Sequence, residues 1–169
     1  LPPQFFANLV QKVNIAIAEG RDIINLGQGN PDQPTPANII QALQIAAADP
    51  LSHKYPPFRG IQQLKEAAAA FYAREYGVPI DPNTEVAIMG GTKIGLVELP
   101  MALLNPGDYM LLPDPGYPDY LSGTVLAQVY YDLMPLLEEN NFLPDYNALP
   151  EEVKERAKLL YINYPNNPT

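Results

Sequence analysis

Glu85-Val86-Ala87-Ile88-Met89-Gly90-Gly91-Thr92-Lys93-Ile94-Gly95-Leu96 carries the strand-to-helix transition from which the architecture follows. The segment Glu85 to Met89, apolar from Val86 on, reads as a strand, two glycines turn the chain, and Thr92 opens a helix. Downstream, strands are expected over Tyr109 to Leu112, Gln128 to Leu133 and Lys158 to Asn163, with helices between most of them. This alternation predicts an α/β fold with a largely parallel sheet flanked by helices, in which ligands sit at the carboxyl ends of the strands. Four loops therefore matter by position: Gly90 to Lys93, Asp114-Pro115-Gly116-Tyr117-Pro118, the Pro135 to Pro144 connection, and the terminal Asn163-Tyr164-Pro165-Asn166-Asn167-Pro168-Thr169.

Upstream, Phe6, Leu9, Val13 and Ile17 recur at helical spacing between Pro3 and Glu19, and Gly20 ends that helix. A short strand is expected from Arg21 to Leu26, running into the loop Gly27-Gln28-Gly29-Asn30-Pro31-Asp32. Thr35 before Pro36 reads as a cap followed by a first helical residue, with Ile39, Ile40, Leu43 and Ala47 as the buried stripe. A further helix is expected from Ile61 to Tyr76, with Leu64, Ala68, Phe71 and Tyr72 turned inward. Tyr55-Pro56-Pro57-Phe58-Arg59-Gly60 is the stiff loop before it, and no internal repeat is visible.

A chain of 169 residues with 47% hydrophobic content is long enough for an ordinary core. Its 20 prolines fall between periodic segments, so they punctuate short elements and do not form a low-complexity tract. The net charge of -9 argues against a nucleic-acid or anionic-membrane surface, because both need a basic face. No cysteine is present, which excludes a disulfide framework and a thiolate metal site and fits a reducing compartment. The single histidine, His53, lies in a polar stretch without companions for a metal. With no apolar run near spanning length and no signal-like N-terminus, the protein is expected in the cytoplasm.

Each chemically suggestive loop has two readings. Gly91, Thr92 and Lys93 stand where a strand becomes a helix, so their backbone N–H groups suit an anion; the same Gly-Gly-Thr turn also serves as a tight turn alone. It is neither a dinucleotide nor a nucleoside-triphosphate fingerprint. Tyr117, fixed between prolines past a strand end, offers a ring on which a flat heteroaromatic group could stack, or one that packs on the sheet edge. Tyr55 could donate to an oxyanion or anchor its loop. Asn167, between Pro165 and Pro168, could aim a hydrogen bond at a ligand or shape a surface turn.

Taken together and in this order, the loops resemble the N-terminal half of the fold-type I, class I and II aminotransferases, which use pyridoxal 5′-phosphate; the resemblance runs over essentially the whole chain. Among bacterial members, Gln4 to Asn14 and Asn25 to Pro36 look most like the methionine-salvage aminotransferases, which form methionine from 4-methylthio-2-oxobutanoate with a donor such as glutamine. The resemblance implies the N-terminal half of the aspartate aminotransferase-like fold. Residues 1–32 would be the N-terminal arm and small-domain segment, and 33–169 the first part of the large cofactor-binding domain. It also implies that Gly91, Thr92 and Lys93 hold the phosphate, Thr92 and Lys93 by their amides. Tyr117 would stack on the pyridine ring and Asn167 would bond its phenolic oxygen. Tyr55 would reach the phosphate of a neighbouring subunit in a homodimer. Gly29, through its backbone, and Asn30 would meet the carboxylate of an amino-acid or 2-oxo-acid substrate.

The family's Schiff-base lysine, the acid facing the pyridine nitrogen and the arginine that grips the substrate all follow the Asn loop. No catalytic residue is therefore expected within this chain, and Lys93, at the phosphate end of the ring, is the wrong lysine for the aldehyde. The resemblance implies a fragment whose C-terminal remainder completes it. Expected alternatives are an aspartate, aromatic or L,L-diaminopimelate aminotransferase, a β-lyase of the same fold, and a non-catalytic aminotransferase-like module.

Overall fold

The computed structural model describes residues 5–27, 29 and 31–169. They form two compact units, Pro3–Ala87 and Ile88–Thr169. The first is helical: α1 (Phe5–Ala18), α2 (Ala37–Ala48), a 3-10 turn (Pro50–His53) and α3 (Gln62–Tyr76). Gly20 stops α1 as expected, adopting a φ of 81° while the N–H groups of Gly20 and Arg21 bond back to Ile17 and Ala16. A side chain at that φ would be strained, which is why glycine closes the helix. Gly77 does the same for α3 at a φ of 66°.

Several expectations for this unit are corrected. Arg21 to Leu26 forms no strand, because an extended apolar segment becomes a strand only when another segment completes its ladder. Thr35 does not cap α2: Pro36, still extended at a ψ of 139°, takes the cap position and its carbonyl receives the Ile39 and Ile40 amides. The expected inner face of α3 is largely exposed, with Leu64, Phe71 and Tyr72 open to solvent; the buried positions are Lys65 and Ala69. Helical spacing defines an apolar face but does not supply the surface that covers it.

The second unit carries the sheet: α4 (Thr92–Leu103), β1 (Tyr109–Asp114), α5 (Asp119–Ala127), β2 (Tyr130–Pro135), a 3-10 turn (Glu138–Asn140), α6 (Glu151–Arg156) and β3 (Ala157–Leu160). The order is β2-β1-β3 and both pairings are parallel, with a register shift between Tyr109 and Met110 on the β3 side. Three of the four strands expected from Glu85 onward are therefore present. The fourth, Glu85 to Met89, is without ladder pairing among the described residues. β2 starts two residues after the expected Gln128, because Gln128 adopts a left-handed φ of 55° to close α5.

Central β1 is buried over Met110, Leu111 and Leu112, the continuous apolar run of a parallel strand covered on both faces. Met110 and Leu112 join Leu104, Tyr120, Ala127, Val129 and Tyr161 in one core. One core bond follows directly from the sequence of α4. Pro100 has no N–H, so the Leu96 carbonyl four residues earlier loses its helical partner; the Tyr161 hydroxyl donates to that carbonyl at 2.8 Å. Burial beside Tyr120 then pushes the Tyr161 phenol up to about 12. α5 approaches the same place through Gly123, where an added Cβ would lie 2.9 Å from the Leu96 carbonyl oxygen and 3.1 Å from the Pro100 ring.

Candidate functional site

The carboxyl ends of parallel β1 and β3 are where this topology collects ligand-binding loops, and two expected site segments meet there. Asn166 Nδ2 donates to the Pro115 carbonyl at 3.0 Å and to Thr169 Oγ1 at 2.7 Å, which staples the terminal Asn loop to the Asp114–Pro118 turn. That turn requires its glycine, since a Cβ on Gly116 would collide with the Pro113 carbonyl oxygen. Asn166 Oδ1 is buried with no hydrogen-bond partner among the described residues. Asn167, the residue singled out from sequence, is exposed.

Tyr117 lies in the turn so fixed, half-buried against the core and edge-on to Tyr120 with ring centroids 6.0 Å apart. A cavity of about 170 Å³ backs it, lined among others by Leu112, Gly116, Tyr120 and Tyr131. That volume is below the roughly 300 Å³ at which small-molecule sites begin. A larger hollow of about 370 Å³ beside β2, lined by Asp132, Leu137, Asp145 and Leu149 among others, contains none of the expected site residues.

At the start of α4, Gly91 adopts a φ of 103°, a conformation suited to glycine, and among the described residues no side chain caps the helix. The amides of Thr92 and Lys93 therefore retain their hydrogen-bonding capacity at the positive end of the helix dipole, and a Cβ built on Gly91 would meet nothing within 4 Å. The Lys93 side chain turns aside: its ammonium pairs with Asp119 Oδ2 at 2.8 Å and lies 5.7 Å from the Tyr117 ring centroid. Asp119 first, then Tyr117, holds the Lys93 pKa above the ordinary lysine value.

Gly91, Thr92, Lys93, Tyr117 and Asn167 all belong to the sheet unit. Gly29 and Tyr55 belong to the helical unit; Asn30 lies outside the described residues. Tyr55 is 100% exposed, so it does not anchor its loop as a buried aromatic. The sequence reading missed Asn166 and Asp119. The signal for Asn166 was an Asn doublet between prolines, in which either side chain could turn inward; for Asp119 it was an acid in the first turn of α5.

These features fit a group with an anionic arm and a flat ring. There are open helix amides for the anion, a half-buried aromatic face for the ring, and exposed and buried amide groups on the neighbouring loop for polar substituents. No group of three His, Cys, Asp or Glu side chains that could hold a metal occurs among the described residues, and no described helix is long and apolar enough to cross a membrane.

Comparison with known proteins identifies the family and the fold. The family model for aminotransferase class I and II matches residues 21–169. The chain is 63% identical, over its whole length, to the L-glutamine--4-(methylsulfanyl)-2-oxobutanoate aminotransferase of Bacillus subtilis (strain 168), of which it covers 42%. It is 47% identical to an LL-diaminopimelate aminotransferase of Aquifex aeolicus (strain VF5), again over its whole length and 44% of that protein. Among solved structures, apo-BacF from Bacillus subtilis superposes over the whole chain and 43% of its own, with a TM-score of 0.92 and 56% identity. The chain thus spans less than half the length of the relatives it matches. Its fold is the N-terminal part of the aminotransferase fold, and the chain belongs to the class I and II aminotransferase family.

Proposed function

We propose that this chain is the N-terminal part of a pyridoxal 5′-phosphate-dependent aminotransferase that moves an amino group between an amino acid and a 2-oxo acid. The observation that carries this reading is the convergence at one sheet end: the Asn166 staple sets the Asn loop against the Tyr117 turn, and Lys93 links that turn to the open amides of α4. When bound, the cofactor supplies an electron-withdrawing ring that stabilises negative charge at the α-carbon of the amino acid.

In this reading the amides of Thr92 and Lys93, with Gly91 making room, bind the phosphate, and Tyr117 orients the ring. Asn167 donates its side-chain amide to the phenolic oxygen and favours the deprotonated form there. Tyr55, fully exposed on its proline-braced loop, reaches the phosphate site of a second subunit in a homodimer, and Gly29 and Asn30 face the substrate carboxylate. In this reading the lysine that carries the cofactor and the groups that select the substrate's side chain lie in the part of the relatives' length that this chain does not span. The division into an arm and small-domain segment over 1–32 and a large domain from 33 onward belongs to the same reading. The absence of cysteine and the acidic balance fit a cytoplasmic enzyme.

The substrate reading is 4-methylthio-2-oxobutanoate to methionine with glutamine as donor, supported by the 63% identity to a protein of that name. L,L-diaminopimelate is the second reading, supported by the 47% relative. The full-length protein given glutamine and 4-methylthio-2-oxobutanoate should form methionine, with cofactor-dependent turnover. Release of ammonia and a 2-oxo acid without an acceptor would make it a lyase, and turnover confined to L,L-diaminopimelate as donor with a 2-oxo-acid acceptor would favour the second reading. In that protein Asn167→Ala should move the midpoint of the bound cofactor's visible pH titration upward; an unmoved midpoint with lower stability would leave Asn167 as a turn residue.

A further inference from the structure

Lys93 is a cation in the first turn of α4, where the helix dipole disfavours positive charge. Two explanations are available for it. Either the side chain is a direct ligand for the anion at that helix end, or it is committed elsewhere and only its amide serves the anion. The geometry favours the second. The ammonium is bonded at 2.8 Å to Asp119, itself in the first turn of α5, where an acid suits the dipole. From that position it stands 5.7 Å from the centroid of the Tyr117 ring, within reach of a cation–π attraction. Tyr117 is two residues before Asp119 on the same turn, so one ion pair joins the loop carrying the ring to the helix carrying the open amides.

We infer that the Lys93–Asp119 pair is a positioning clamp, holding the Tyr117 ring in fixed relation to the anion-binding end of α4, and that the Lys93 side chain is not itself an anion ligand. Asp119 and the Lys93 side chain are thus positioning residues that act through Tyr117. The inference rests on the proposed cofactor site but can be tested apart from it. Both residues remain partly exposed, Lys93 at 62%, so the pair is worth little to global stability and its effect should be local.

The two explanations differ in sign. In a clamp, Lys93→Ala and Asp119→Asn act in the same direction, each weakening pyridoxal 5′-phosphate retention by about threefold, and the double variant is no worse than the weaker single one. Lys93→Ala leaves the amide in place, and Lys93→Arg should restore most of the loss. If Lys93 were an anion ligand, Asp119→Asn would release it and tighten retention while Lys93→Ala weakened it, which would overturn the inference. A second readout needs no cofactor. In the cofactor-free full-length protein labelled with 3-fluorotyrosine, the Tyr117 resonance, assigned by Tyr117→Phe, should shift in the same way in both single variants. A resonance unmoved in either one overturns the clamp. A wild-type protein that holds no pyridoxal 5′-phosphate would overturn the cofactor reading, and the clamp would then stand or fall on the fluorine resonance.

Discussion

The two units of this chain use similar amounts of apolar sequence very differently. In Ile88–Thr169 the apolar residues converge on β1, and Met110, Leu112 and Met134 are each no more than 2% exposed. In Pro3–Ala87, Ile39, Leu43 and Ile45 on α2 are exposed by more than half, and Lys65 and Ala69 are the buried residues identified. Hydrophobic periodicity is present in both, so periodicity alone does not make a core. A parallel sheet brings its own covering helices through the crossover connections, whereas an amphipathic helix depends on whatever surface it meets.

The contrast can be broken most directly in the sheet unit. Leu112→Ala should cost about 2–5 kcal/mol, because it removes a fully buried side chain from the centre of β1 and leaves a cavity there. Denaturant unfolding monitored by circular dichroism measures this, and a loss below about 1 kcal/mol would mean that the sheet core is much looser than its burial indicates.

Gly123→Ala should cost about 1–3 kcal/mol in the same measurement, since the new methyl would press on the Leu96 carbonyl and the Pro100 ring and force α4 and α5 apart. A neutral substitution would show that the contact between these helices yields easily.

Tyr161→Phe should cost about 1 kcal/mol at neutral pH, because the Leu96 carbonyl that Pro100 already left without a helical partner loses the hydroxyl as well. The wild-type contribution also has a pH signature. The folded phenol titrates near 12 and the unfolded one near about 10. Below about pH 10 both states hold the proton and the contribution is complete. Between these values the unfolded chain releases its proton first, so stability falls as pH rises toward 12. The variant should lack that component of the alkaline decline, and an identical pH profile would remove the buried phenol as its source.

The smallest effect belongs to the helical unit. Leu43→Ala should change the stability of this chain by less than about 0.5 kcal/mol, as an exposed substitution does. The same substitution in a protein of the relatives' full length sharpens the contrast: a cost approaching that of Leu112→Ala there would mean that α2 finds its covering surface in the longer chain.

Much of this was legible in the residues. Gly20 and Gly77 end their helices where the spacing runs out, and β1 is built on the apolar run Tyr109 to Pro113, bounded by Asp108 and Asp114. The turn motifs at Gly91 and Asp114 to Pro118 fall at the helix start and the strand end where ligands collect. The candidate site was legible as a set of loops and only partly as a set of side chains. Asn167 and Tyr117 were named from the pattern, but Asn166 turned inward, and Asp119 took up the Lys93 ammonium.

The features legible in the residues are local: helix faces, chain stops, the parallel α/β alternation, and the motifs that carry the family resemblance. These depend on side-chain period and on the φ preferences of glycine and proline, which act within a few residues. Only tertiary packing selected which extended segments found partners, so that Tyr109 to Asp114 became a central strand while Glu85 to Met89 has no ladder partner among the described residues. It also decided the bonds that make the site rigid. Asn166 reaches a carbonyl 51 residues away and Tyr161 one 65 residues away. Contacts at that separation depend on how the sheet brings distant strand ends together, which no local pattern encodes.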